Sequence, residues 1–92
     1  MTFRVRHKVD KCQPAIVKVL RDAGYAVQAL EQGHGCPDLL VASPYTSEMW
    51  LLEVKMPDGV LTPAQVKWIR GWPAPVRVVH NGDEALNAVR GL

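Results

Sequence analysis

The chain has 92 residues, of which 48% are apolar and 22% are charged, and its formal net charge is +2 at pH 7. This length and composition predict one small globular domain, residues 1–92, with a modest apolar core. No apolar run is long enough to cross a membrane, and the basic N-terminus lacks the apolar segment of a signal peptide, so we expect a cytoplasmic protein. Its two cysteines, Cys12 and Cys36, fit a reducing compartment and lack the paired spacing of a zinc site.

Positive charge is concentrated near the N-terminus. Residues 1–21 contain six cations and one acid, a net charge of +5, so the remaining 71 residues carry −3 to give the total of +2. Residues 1–9 are predicted to form a basic arm. Its cations Arg4, Arg6 and Lys8 either solubilise the chain or bind a phosphate backbone.

The first predicted element is a helix that begins near Gln13 and ends at Gly24. Its apolar residues at helical spacing are predicted to face the core: Ile16, Val17, Leu20 and Ala23. Residues 25–30 predict a short strand. The polar loop at 31–36 contains His34, which is either simply exposed or in contact with a phosphate.

Two apolar runs on either side of a short polar gap predict an antiparallel hairpin. The first run spans residues 35–42 and the second spans residues 48–55. A loop at 44–47 fixes the register so that the numbers of facing residues sum to 91. Asp38 is then opposite Glu53 at the open end of the hairpin.

Charged residues at the end of an otherwise apolar hairpin indicate a functional site. Side chains alternate along a strand, so Glu53 and Lys55 share a face and lie beside Asp38. Two adjacent carboxylates repel each other unless a proton or cation lies between them, and their oxygens suit a hard divalent cation. The alternative is structural, with an aspartate at a strand start and a Glu–Lys ion pair at a sheet edge.

Residues 62–65 are typical of a helix start, with Thr62 as the cap and Gln65 completing a capping box. A further strand is predicted at 76–80 and a last helix at 83–90. The order helix, three strands, helix, strand, helix predicts an α/β fold with a mixed sheet flanked by helices. The second helix provides the crossover that lets the last strand run parallel to its neighbour.

The second helix carries two tryptophans, Trp68 and Trp72, at a spacing of four residues. They either belong to the core or form a platform on which nucleic-acid bases stack. Lys67 and Arg70 are predicted to face solvent.

Pro37-Asp38, followed by Glu53-Val54-Lys55, resembles the motif of the PD-(D/E)xK nuclease superfamily. Gly35 and residues 61–65 look like the small stand-alone VRR-NUC branch found in phages and bacteria. The resemblance covers residues 10–86 and implies a restriction-endonuclease-like core. It also implies a bacterial or phage-infected cell as the location.

The resemblance implies roles for individual residues. Asp38, Glu53 and the Val54 carbonyl would hold Mg²⁺ (or Mn²⁺). Lys55 would orient the attacking water or stabilise the transition state, and the Gln65 amide would lie near the metal and the scissile phosphate. Gln65 is also predicted to cap the second helix. It can have both roles only if one side-chain geometry satisfies both.

The sequence therefore predicts a Mg²⁺-dependent endodeoxyribonuclease, acting as a homodimer through Trp68 or Trp72 on branched or junction DNA. Many relatives have a Glu where this chain has Gln13. The sequence therefore leaves open whether the site holds one metal ion or two. The alternatives are a non-catalytic nucleic-acid-binding or regulatory protein and a partner of a larger machine. The predicted DNA contacts are Arg4, Arg6, Lys8, His34, Lys67 and Arg70.

Overall fold

The computed structural model describes residues 11–31 and 33–91. Within these ranges the elements run in the order α1 (Gln13–Asp22), β1 (Ala26–Ala29), β2 (Leu39–Ala42), β3 (Met49–Val54), α2 (Pro63–Gly71), β4 (Val76–Val79) and α3 (Gly82–Arg90). The predicted α/β fold and its order of elements are confirmed. The basic arm at 1–9 lies outside the described residues.

The four strands form one mixed sheet in the order β1-β2-β3-β4. The first three strands are antiparallel, and β4 runs parallel to β3 because α2 carries the chain back to the starting edge. In the hairpin, Leu40 faces Leu51 and Ala42 faces Met49. The predicted register is therefore correct.

One face of the sheet is covered by α1 and α3 and forms the core. Its strand residues Leu39, Val41, Leu52 and Val54 are all fully buried. The helices contribute Ile16, Leu20, Ala85, Ala88 and Val89 to the same cluster. Burial of this apolar surface is the main force that holds the helices on the sheet.

The opposite face is covered only in part by residues 11–31 and 33–91. Met49 is 59% exposed there, and Leu40 and Leu51 are half-buried. Helix α2 lies on this side and has no fully buried residue. Trp72 follows the helix as its C-cap and is 43% exposed, so the interpretation of both tryptophans as core residues is wrong for Trp72.

The first strand is shorter than predicted at both ends. The Tyr25 N–H donates to the Leu20 carbonyl, so Tyr25 belongs to the exit from α1. The Leu30 N–H donates to the Asp38 carbonyl beyond the last paired residue of β1. Helix α3 begins at Gly82, one residue before the prediction, because Asn81 caps it by accepting the Glu84 N–H. No helix among the described residues is long and apolar enough to span a membrane.

Candidate active site

Asp38 is fixed by its backbone and by its side chain. Its N–H donates to the Leu52 carbonyl at 3.1 Å, and its carbonyl accepts the Leu30 N–H at 2.8 Å. Its carboxylate Oδ2 accepts the Val54 N–H at 2.7 Å. The side chain therefore continues the hydrogen bonding between β2 and β3 by one step, and Asp38 is only 3% exposed.

Glu53 lies beside Asp38 and is 1% exposed. Burial, followed by the charge of the neighbouring Asp38 carboxylate and a hydrogen bond with it, raises the pKa of Glu53 to about 8. Lys55 opposes this shift with its Nζ 3.6 Å from Glu53 Oε2. At neutral pH without a cation, the carboxyl pair therefore holds a proton.

Gln65 reaches the carboxyl pair from α2. Its Oε1 accepts the Thr62 N–H at 2.8 Å, and its backbone N–H donates to the Thr62 hydroxyl, which completes the predicted capping box. Its Nε2 donates to Glu53 Oε2 at 3.1 Å. One side-chain geometry therefore caps the helix and contacts the carboxylate. The cap also fixes which end of the amide faces Glu53, because only the oxygen can accept the Thr62 N–H.

The site contains buried side-chain oxygens that have no hydrogen-bond partner among the described residues. Among the described residues, the buried side-chain oxygens without a hydrogen-bond partner are Gln13 Oε1 and Glu53 Oε1. An unpaired buried oxygen costs about 1–3 kcal/mol, so such an atom points to a cation, a proton or a water.

These residues fit a hard divalent cation. No cluster of three or more His, Cys, Asp and Glu suited to a metal occurs in the described ranges. Mg²⁺ does not require one, since it binds through one or two carboxylates together with water and substrate phosphates. Asp38 and Glu53 are the two carboxylates that would hold such an ion.

The start of α1 adjoins the same end of the sheet. Cys12 Sγ lies 3.8 Å from the Lys55 carbonyl, which places the following residue, Gln13, near the end of β3. Gln13 is 8% exposed, although the helix stripe predicted from the sequence did not include it. The residue that the resemblance aligned with a carboxylate of many relatives is thus a buried neutral amide.

Gly35 lies against Ala64, a contact that the sequence did not predict. It has a φ of +86°, and a Cβ at this position would collide with the Ala64 carbonyl in the first turn of α2. The loop before Asp38 is therefore pressed against α2. The sequence signal was a glycine, and its partner is 29 residues away in the chain.

The predicted DNA contacts divide into two groups. His34 (φ +59°), Lys67 and Arg70 are exposed. His34 and Lys67 line one hollow beside α2, and Lys67 and Arg70 line a second one. The other group, Arg4, Arg6 and Lys8, lies outside the described residues.

Comparison with known proteins identifies the family. A sequence profile of the VRR-NUC domain matches residues 5–72. A solved structure titled VRR_NUC domain is 26% identical, has a TM-score of 0.67, and aligns over 87% of this chain and 91% of its own chain. No curated protein matches the chain. The predicted family is confirmed: the chain belongs to the VRR-NUC domain family and has a nuclease-family fold.

Proposed function

We propose that this protein is a metal-dependent endodeoxyribonuclease. Asp38, Glu53 and the Val54 carbonyl hold Mg²⁺ or Mn²⁺, and the substrate is a DNA phosphodiester. The carboxyl pair is the observation that carries the proposal. Two adjacent carboxyls are almost fully buried, one of their oxygens has no hydrogen-bond partner, and a lysine lies within 4 Å of the pair.

A purely structural role accounts poorly for this pair. Asp38 alone satisfies the Val54 N–H, so Glu53 is not needed to complete the strand ladder. Burying a second carboxyl beside it raises the pKa of Glu53 to about 8, which is unfavourable to folding at neutral pH. Such shifts are typical of functional sites, where stability is given up for chemistry.

The chain's own residues have distinct parts in this reaction. A divalent cation held by the carboxyl pair would polarise the phosphate and lower the pKa of a bound water. Asp38 is held rigidly by its backbone hydrogen bonds, so its carboxylate is preorganised. Gln65 occupies Glu53 Oε2 and thereby leaves Oε1 for a ligand. The Lys55 ammonium orients the attacking water or stabilises negative charge that develops on the phosphate.

The proposed substrate is branched DNA, cut by a homodimer. A hollow of about 710 Å³ on the open sheet face is lined mainly by apolar side chains, including Leu40, Met49, Leu51 and Pro75, and Trp68 and Trp72 also line it. A second copy packed over this face would bury the exposed apolar residues. Two-fold symmetry would then present two carboxyl pairs for paired incisions.

The test is a cleavage panel with Mg²⁺ and Mn²⁺ on linear duplex, single-stranded, flap and four-way junction DNA. We expect cleavage that requires the divalent cation and is fastest on the branched substrates. Light scattering is expected to show a dimer at micromolar concentration. DNA binding without cleavage under any condition would instead support a non-catalytic protein that keeps the nuclease fold, and a monomer both free and on DNA would exclude the dimer.

A further inference from the structure

A hollow of about 540 Å³ lies beside α2, separate from the carboxyl pair. We call it the α2 hollow, and its lining residues are His34, Ala64, Lys67, Trp68, Gly71 and Trp72. Sites for small ligands and cofactors typically occupy about 300–1,000 Å³, so this one has room for a group the size of a nucleotide.

The wall of the α2 hollow is aromatic. The indole rings of Trp68 and Trp72 are stacked, with their centroids 4.8 Å apart and their planes at 22°. Trp72 is nevertheless 43% exposed. A stacked indole pair is a flat, ordered surface, and the bases of unpaired nucleotides stack on such surfaces with little regard to sequence.

The rim of the α2 hollow suits a phosphate. Its ionisable lining side chains are His34 and Lys67, both exposed, and no carboxylate of the described residues contributes to the lining. The Lys67 ammonium attracts a phosphate group. An aromatic wall with a cationic rim is complementary to a base and its phosphate.

The α2 hollow adjoins the carboxyl pair through two consecutive residues of α2. Ala64 lines the hollow, and Gln65 donates to Glu53 Oε2 at 3.1 Å. The contact between Gly35 and Ala64 keeps the His34 loop against the same helix turn. A DNA strand with one phosphate at the carboxyl pair therefore places a neighbouring nucleotide within reach of the hollow.

We propose that the α2 hollow binds one unpaired nucleotide of the DNA strand, with its base stacked on Trp68 and Trp72 and its phosphate near Lys67 and His34. The inference rests on the proposed nuclease function. It adds that the protein recognises an unstacked nucleotide, such as occurs in single strands, flaps and branch points. A second copy suits the hollow less well, because a two-fold interface centred on it would bring the Lys67 ammonium towards the same group of the other copy. The hollow on the sheet face is lined by one cation, Arg77, and one carboxylate, Glu48, so its formal charges balance and two copies of it are not forced to repel.

Gly71→Leu tests the proposal without removing a contact. A Cβ at Gly71 meets no atom within 4 Å, and leucine is a better helix former than glycine, so this change fills the hollow without straining the fold. Asn87→Leu, at an exposed position of α3 on the other side of the sheet, is the matched control. Trp72→Ala removes part of the wall, and Lys67→Ala removes the cation.

The measurement is fluorescence anisotropy of a labelled oligothymidine with the full chain in EDTA, where neither a metal nor cleavage contributes. Gly71→Leu and Trp72→Ala should weaken binding about 5- to 150-fold, which is the range for losing one base stack. Lys67→Ala should weaken binding and flatten its salt dependence. A linear duplex should lose much less affinity in all three variants, and Asn87→Leu should bind both DNAs like the wild type.

Unchanged affinity of Gly71→Leu and Trp72→Ala for oligothymidine would overturn the proposal, and so would an equal loss for duplex DNA. A change from dimer to monomer in Gly71→Leu would overturn it in favour of an interface between copies. Failure of the nuclease proposal has a different signature, which is the absence of divalent-dependent cleavage by the wild-type protein. The binding comparison in EDTA would still decide whether the hollow holds a nucleotide.

Discussion

The two faces of the sheet differ in what they bury. On one face, Leu39, Val41 and Leu52 are fully buried against α1 and α3. On the other, Met49 is 59% exposed and α2 contributes no fully buried residue. The first face provides the apolar burial that stabilises the domain. Among the described residues, the second face leaves apolar side chains exposed, and both hollows that include the tryptophans lie on the α2 side.

The carboxyl pair is the exception on the open face. Glu53 and Asp38 are 1% and 3% exposed, although they are polar and although the apolar residues of that face are less buried. Strand β3 serves both faces because its side chains alternate, with Leu52 and Val54 in the core and Glu53 between them on the other side. The core and the carboxyl pair are thus built from neighbouring residues, and the contrast between the two faces can be tested by substitution.

The largest effect should come from removing charge at the carboxyl pair. Glu53→Gln and Asp38→Asn should each reduce divalent-dependent cleavage at least about 10³-fold, equivalent to about 4 kcal/mol in the barrier. Both substitutions keep the shape of the side chain, and the amide oxygen introduced by Asp38→Asn can still accept the Val54 N–H, so the fold should be retained. Asp58→Asn, in an exposed turn, is the matched control and should cleave normally. Wild-type turnover in either active-site variant would refute the metal assignment.

Lys55→Ala should have the next largest effect, a reduction in turnover of about 10²-fold, because the ammonium acts on developing charge. Lys55 lowers the pKa of Glu53, so its removal raises that pKa further, and the comparison belongs well above pH 8, where Glu53 is ionised in both proteins. Calorimetry should then show nearly unchanged Mg²⁺ affinity. Lys18→Ala, at the exposed Lys18–Asp22 pair on α1, is the control. Lost Mg²⁺ binding with normal turnover would contradict this role.

Truncating an apolar side chain should cost more stability on the core face than on the α2 side. Leu20→Ala, at a fully buried position, should lower the free energy of unfolding by about 2–5 kcal/mol. Ile69→Ala, at a half-buried position of α2, should lower it by about 1 kcal/mol. Urea unfolding at low protein concentration measures both. Equal losses would mean that the apolar side of α2 is covered in solution, and the contrast between the faces would fail.

The last effect is a pH dependence of the metal-free protein. The folded state binds a proton at Glu53 more tightly than the unfolded state, since the pKa of Glu53 rises from 4.5 to about 8. Stability should therefore fall as pH rises from about 4.5 to about 8 and should level off above that range. Each kcal/mol lowers Tm by about 4–8 °C in a domain of this size.

Glu53→Gln is the matched variant for this pH dependence, because it cannot ionise at residue 53. Its Tm should fall less over the same range, and it should be more stable than the wild type near pH 8. Parallel profiles for the two proteins would show that the carboxyl pair is not strained without a cation.

Much of the fold could be read from local features of the sequence. The hairpin register followed from the loop length and from the alternation of the two apolar runs, and Leu40 does face Leu51. The start of α2 followed from Thr62 and Gln65, whose capping bonds join residues only three positions apart. These features are local because they depend on turn geometry and on the period of the backbone.

The sequence by itself determined the order of elements, the hairpin register and the residues that meet at its open end. Tertiary structure decided how deeply Glu53 is buried, that the Gln65 amide bonds Glu53 while it caps α2, and that Gly35 is pressed against Ala64. It also decided that Trp72 is exposed. The physical reason is that burial and contact depend on which distant segments come together, whereas a periodic pattern shows which side of a helix is apolar and not whether anything covers it.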